Sequence, residues 1–152
     1  LYVADEETNS IFKINATGEF IDEIPLKDKP ISIAVDPKSH KIYIVDKEKH
    51  YVSVIDGNTN NETGEKINIS NINKPVSIAV DPELDILYVA DEGYQSLSVI
   101  DGNTKETKEQ FKVGDKPISI AVDPKTHKVF VLNKGTQENP TTLSVIDLID
   151  GS

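Results

Sequence analysis

The chain has 152 residues, the length of one ordinary domain, and carries a formal net charge of −10, with 16 Lys and Arg against 26 Asp and Glu. Lysines scattered among carboxylates give no clustered basic face to displace counterions from a nucleic acid, and the acidic balance also argues against anionic lipid. No apolar run approaches a membrane-spanning length, so no direct membrane insertion is expected, and the absence of Cys, Met and Trp removes disulfides, thiolate chemistry and thioether ligands.

The chain opens inside a pattern. "LYVADEETNSIFKIN" starts at Leu1, and related segments start at Ile42 ("IYIVDKEKHYVSVID"), Leu87 ("LYVADEGYQSLSVID") and Val129 ("VFVLN…LSVID"), at offsets of 41, 45 and 42 residues. This predicts a piece of a longer protein, with any targeting signal outside it. Ahead of three of these segments stands "KPISIAVDP" or "KPVSIAVDP". There Ile31, Ile33 and Val35 alternate with Ser32 and Ala34, the period of a strand. Pro30, Pro75 and Pro117 are predicted to sit just before these strands, where no ladder donor is missed. A second strand, "KIYIVD", is β-branched and aromatic and apolar on both faces. A third, "YVSVID", alternates. A fourth, read from Gly64 in "GEKINIS", alternates Ile67 and Ile69 with Lys66 and Asn68. Pro, Gly, Asn and Asp clusters separate the runs, and no segment shows a useful helical period.

Each unit is therefore four short antiparallel strands, most polar at the fourth. A sheet that is apolar on both faces needs cover on both, and stacking twisted sheets face to face makes the stack radial. The predicted fold is an all-β β-propeller of four-stranded blades, with the first strand of each unit at the axis and the fourth at the rim. Small residues such as Ser32 and Ala34 suit the crowded inner strand.

The unit resembles the YVTN family of β-propeller repeats, found in surface-layer and other cell-surface proteins. The residues that carry the resemblance are "KPISIAVDP", "IYIVD" or "LYVAD", and "SVIDGNTN" or "SVIDGNTK". The tetrads themselves read Tyr2-Val3-Ala4-Asp5, Tyr43-Ile44-Val45-Asp46, Tyr88-Val89-Ala90-Asp91 and Phe130-Val131-Leu132-Asn133. None has Thr, and only the last ends in Asn. The resemblance implies a rigid scaffold or binding module at the cell surface or outside the cell, and assigns no activity.

The strand inventory predicts about three and a half blades: a partial blade over 1–28, blades over 29–73 and 74–115, and a partial blade over 116–152. Both ends supply a second and a third strand, so they are not two halves of one blade. The expectation is an arc of a larger ring of six to eight blades, completed by remaining blades of the same propeller.

Candidate chemical residues are few. Asp36, Asp81 and Asp123 end the inner strands and would ring one mouth of the channel, as an oxygen-rich cation site or simply as turn starters before Pro. The turn reading is preferred. His40 and His127 share one turn position, which Asp85 fills in the middle blade, and His50 falls in a loop on the opposite face. They are read as solvated loop histidines, with no nucleophile at a readable spacing. "DGNTNNETGE" spaces Asp56, Asn58 and Asn60 like the opening of a calcium loop, but Asn61 stands where Gly is needed, so a turn with an insertion is expected. Asn15, Asn61 and Asn68 head glycosylation sequons, with Asn61, expected in an outer loop, the best placed. The insertion from Lys134 to Thr142 is a candidate binding loop through Lys134, Thr136, Gln137, Glu138 and Asn139.

The resulting expectation is a non-enzymatic, extracellular or cell-surface propeller, possessing no catalytic residues, metal or cofactor, that scaffolds or binds protein or glycan partners through its loop faces. The alternative is the propeller domain of a redox enzyme or lyase whose active-site groups lie elsewhere. Fold alone does not choose between them.

Overall fold

A computed structural model describes residues 1–148 of the chain. Those residues form fourteen strands and no helix, arranged as four antiparallel sheets. The first sheet holds β1 (Tyr2–Asp5), β2 (Ser10–Ile14) and β3 (Phe20–Pro25). The second holds β4 (Pro30–Asp36), β5 (Lys41–Asp46), β6 (Tyr51–Asp56) and β7 (Asn61–Asn68). The third holds β8 (Pro75–Asp81), β9 (Ile86–Asp91), β10 (Ser96–Asp101) and β11 (Thr107–Lys112). The fourth holds β12 (Pro117–Asp123), β13 (Lys128–Asn133) and β14 (Thr142–Asp147). Strands pair in sequence order within every sheet. The inner strands β4, β8 and β12 pack closely on one another from sheet to sheet, whereas the outer strands β7 and β11 show no comparable packing and are linked at their ends by side chains such as Lys105 with Glu65 and Gln110 with the Ser70 carbonyl. Sheets that touch at one edge and splay at the other are blades around an axis, the arc of a β-propeller.

The period-two pattern does not separate core from water here. It distributes side chains between the two neighbouring blades. One face of the second sheet (Tyr43, Val45, Val52 and Val54) meets Ile78, Leu87, Val89 and Ile100 of the third. Its other face (Ile42, Ile44 and Ile55) meets Ile11 and Ile24 of the first. The third and fourth sheets close on Tyr88, Leu97 and Val99 against Val129, Val131 and Ile146. Burial of this kind is the dominant stabilising term in a stacked-sheet fold. It also explains why the second strand of each unit is apolar on both faces.

Two boundaries differ from the sequence reading. Each proline is the first residue of its inner strand rather than the residue before it, with Pro30 opposite Asp46, Pro75 opposite Asp91 and Pro117 opposite Asn133. A register shift follows between Pro and Ser in all three. A first-position proline costs no ladder donor, so the strand starts there, and the bulge then restores the pairing. The fourth strand of the second sheet starts at Asn61, not Gly64, because Glu62 and Asn61 pair with Ile55 and Asp56 across a shift at Ser53/Ile55. Asn61 is therefore the opening residue of β7 rather than a loop residue.

The turns are built by left-handed residues. His40, Asp85 and His127 have φ of 57, 53 and 55° at the same place between first and second strands, and Asn60 and Lys105 have φ of 57 and 64° between third and fourth. Asn, Asp and His tolerate this region better than most side chains, and here all three supply it where Gly is absent.

Candidate functional site

Strands that run up and down in alternation send their connections to two faces. The first-to-second and third-to-fourth turns share one face. The second-to-third loops and the links between sheets share the other.

On the turn face, the three rim aspartates are occupied by their own turns. Asp36 Oδ1 accepts the Lys38 amide at 2.8 Å and Oδ2 accepts the Ser39 hydroxyl. Asp123 accepts the Lys125 amide at 3.0 Å and the Thr126 hydroxyl at 2.8 Å, which hold its carboxyl below the usual aspartate range, the Thr126 bond most of all. Asp81 is fully buried; Oδ1 accepts the Glu83 amide at 2.9 Å, and Oδ2 meets His127 Nδ1 at 2.7 Å across the seam between third and fourth blades. His127 is thus a half-buried seam residue, which corrects its reading as a solvated loop histidine. A shared turn position does not reveal which neighbour a blade will present. His50 stays exposed, but its Nδ1 lies 2.9 Å from the Ile72 carbonyl, so it too has a protein partner. The hydroxyl of Tyr43 lies beside this rim. Burial first, then the nearby Asp85 and Asp36 charges, push it up to about 12, and burial drives Tyr88 upward as well. Among the described residues, no three His, Cys, Asp or Glu side chains gather as a metal cluster.

The loop face carries more relief. A cavity of about 560 Å³ opens between first and second sheets, lined by Lys27, Lys29, Lys47, Lys49 and Lys74 with Glu6, Asp28, Asp46 and Glu48. Lysines and carboxylates are mixed along it, and Lys74 is held by Glu92 at 2.8 Å outside the lining. Its walls are braced. Asp28 accepts the Tyr51 hydroxyl at 2.9 Å and meets Lys49 at 3.5 Å, and Lys27 reaches Glu62 at 3.1 Å. Tyr51 in turn accepts from Lys66 Nζ at 2.8 Å, a bond that raises the Lys66 pKa. Lys29 and Lys47 reach no carboxylate among the described residues and remain available to a ligand. Further round the face, Tyr94 is 58% exposed beside a second hollow that it lines with Asn71 and Gln110.

The inserted loop lies on this same face and is tied down. Lys134 and Gly135 donate backbone N–H bonds to the carbonyls of Lys116 and Asp115. Asn139 Nδ2 donates to Asp115 Oδ2 at 2.6 Å, and the Thr141 hydroxyl donates to the Lys134 carbonyl. Lys134, Thr136, Gln137, Glu138 and Asn139 are all exposed on this fixed frame. The sequon residues are spread elsewhere. The Asn15 side chain is closed onto its own turn, accepting the Thr17 and Glu19 amides and donating to Glu19 Oε2. Asn61 donates to the Thr59 carbonyl at 3.0 Å, and Asn68 ends β7, exposed. The lysine cavity and Tyr94 were missed by sequence reasoning. The loop runs "KDK" and "KEK" were a signal, but only folding brings them to one cavity.

No protein-family model matches the chain, and no curated protein matches its sequence. Solved structures do match its fold. Hydrazine synthase of Kuenenia stuttgartiensis aligns over 99% of this chain and 43% of its own, at 21% identity and a TM-score of 0.82. A nidogen/laminin complex aligns over 100% of this chain and 58% of the other, at 16% identity and a TM-score of 0.74. U3-55K aligns over 99% and 46%, at 13% identity and a TM-score of 0.78. The chain spans about half the length of these neighbours. At such identities the likeness establishes the propeller fold and nothing finer.

Proposed function

We propose that the chain is part of a non-enzymatic propeller of YVTN type that binds a protein or glycan partner through its loop face, at the cell surface or outside the cell. The observation that carries this reading is the concentration on one braced face of a charged cavity with two unpaired lysines, an exposed aromatic and the longest loop. Rigid backbone beneath exposed, chemically varied side chains is how a scaffold presents a binding surface at low ordering cost. An exposed Tyr is a natural anchor for either partner class. The extracellular setting draws support from the nidogen/laminin neighbour and from the repeat resemblance. No helix among the described residues is long and apolar enough to cross a membrane.

A panel of extracellular-matrix proteins and immobilised glycans tests this. Tyr94→Ala and Lys29→Glu/Lys47→Glu should each weaken capture of any ligand found by about ten-fold or more, the scale of a binding hot spot. Lys38→Ala, on the turn face, should leave capture unchanged. Equal loss on both faces, or no ligand in either class, overturns the proposal. The second reading, a domain of a redox enzyme or lyase, draws on the hydrazine synthase neighbour. Stoichiometric haem or transition metal in the purified protein would favour it.

A further inference from the structure

The two four-stranded blades differ at one repeat position. Tyr51 opens β6 and Ser96 opens β10, at the same place in the repeat. In the second blade the Tyr51 ring reaches across to the link before β4. Its hydroxyl donates to Asp28 Oδ2 at 2.9 Å, and Lys66 Nζ lies 4.0 Å from the ring centroid. In the third blade that ring is missing, and a hollow of about 410 Å³ stands in its place, bordered by Asn71, Tyr94, Ser96, Gln110 and Lys112. Side chains two apart on a strand share a face. Ser98 and its cross-strand neighbour Gln110 face the second blade, where Gln110 reaches the Ser70 carbonyl, so Ser96 faces it too.

One group in the hollow lacks a partner. Ser96 is 8% exposed, and its buried hydroxyl makes no hydrogen bond. The same position is satisfied in the first and fourth sheets, where Ser10 donates to Glu23 at 2.6 Å and Thr142 accepts from Asn133 Nδ2 at 3.2 Å. A buried hydroxyl left unpaired is costly, so it marks a place where something else completes the bond.

We propose that this hollow binds one pyranose ring of a glycan, seated where Tyr51 lies in the second blade, with a sugar hydroxyl completing the Ser96 bond. The inference rests on the loop-face reading and names the chemical group that this part of the face takes. Tyr94 stands beside the hollow, 58% exposed, as a platform. The C–H bonds on one face of a pyranose are weakly positive and suit the negative face of a phenol ring. The platform is held in place. The Tyr94 amide donates to Asp91 Oδ1 at 2.6 Å, and Gln95, left-handed at φ 52°, accepts the Val113 amide at 2.9 Å. Such preorganisation lowers the ordering cost of binding.

The polar groups favour a polyol over an aromatic side chain. Gln110 replaces Lys66, opposite Ser98 as Lys66 is opposite Ser53, so the cation that lies over the Tyr51 ring is absent. Gln110 Nε2 is committed to the Ser70 carbonyl and the Ser98 hydroxyl, each at 2.9 Å. That fixes the amide and turns Oε1 into an acceptor for a sugar hydroxyl. Asn71 and Lys112 add donors at the edge. A volume of this size lies within the roughly 300–1,000 Å³ of small-molecule sites.

The test titrates the isotope-labelled chain with methyl β-D-glucopyranoside, methyl β-D-galactopyranoside and methyl α-D-mannopyranoside, and separately with p-cresol. Saturable shifts at the amides of Tyr94, Gln95 and Ser96 and at the Gln110 side chain are expected with at least one pyranoside at millimolar concentration. Ser96→Ala should weaken that binding about five-fold, the effect of one neutral hydrogen bond. Ser96→Tyr, which restores the ring of the second blade, should abolish it. The proposal is overturned by no saturable shift with any pyranoside, by binding that Ser96→Tyr leaves intact, or by p-cresol binding more tightly than every sugar, which would mark a pocket for an aromatic side chain of a protein. A ligand captured by the loop face that Tyr94→Ala weakens and Ser96→Tyr does not leaves the loop-face reading standing and overturns this one.

Discussion

Asp101 closes β10 and holds three partners at once: Lys108 Nζ at 2.6 Å and the amides of Asn103 and Thr104, each at 2.9 Å. Lys108 contributes most, and together they hold the carboxyl at about 2, against an ordinary value of 3.8. A carboxyl with a lowered folded pKa stabilises the fold in full above its unfolded value and loses that contribution as pH falls through its folded value. Lys108→Met is therefore expected to lower the urea midpoint at pH 7, and the gap to the parent chain should shrink between pH 4 and pH 2. A gap of constant size down to pH 2 would refute the assignment. Gly135 shows a different residue-scale constraint. Its φ is +76°, and a Cβ there would lie 2.4 Å from the Asn139 carbonyl oxygen, so the inserted loop depends on glycine at that point.

At the scale of elements, the turn between inner and second strands behaves differently in each blade although its sequence repeats. His40 and His127 share left-handed backbone and flanking lysines. Only His127 finds a carboxylate, because β8 of the preceding blade delivers Asp81 to it at 2.7 Å. Among the described residues, no ion pair or side-chain hydrogen bond joins His40 to a carboxylate. His127→Ala strips a partner from a fully buried carboxylate and should cost about 1–3 kcal/mol in unfolding free energy. His40→Ala should cost well under half of that. Equal costs would mean that the turn, and not the seam, sets the value of the histidine.

Across the whole molecule, three apolar seams hold four sheets, and each inner sheet is buried on both faces. Leu87 illustrates this. It lies on β9 with no exposed surface, in the seam of second and third sheets. Leu87→Ala should cost about 2–5 kcal/mol, a large share of the roughly 5–15 kcal/mol by which domains are stable. Leu84, 41% exposed in the turn that precedes β9, serves as the control; Leu84→Ala should change stability by less than about 0.5 kcal/mol. Denaturant unfolding of the pair reads the difference, and comparable losses would contradict a seam-dominated fold. The same architecture separates function from stability. Seams are apolar and repeat, whereas the loop face varies from blade to blade, and that is where the lysine cavity, Tyr94 and the inserted loop lie.

The sequence by itself determined the strand repeat, the propeller and the axial place of "KPISIAVDP", because period-two patterning and turn residues are local and recur in each unit. It also placed the rim aspartates at their turns, since an Asp before Pro satisfies its own backbone amides whatever surrounds it. Only the tertiary structure decided what crosses a seam. The Asp81–His127 contact joins residues 46 positions apart, and the cavity draws lysines from the β5–β6 loop and from the links that precede β4 and β8. The start of β7 at Asn61 was likewise hidden, since a bulge in the pairing lets polar residues extend a strand that hydrophobic alternation alone would begin later. Local chemistry repeats faithfully along the chain, but partners across a seam depend on which blade stands next, and no single repeat encodes that.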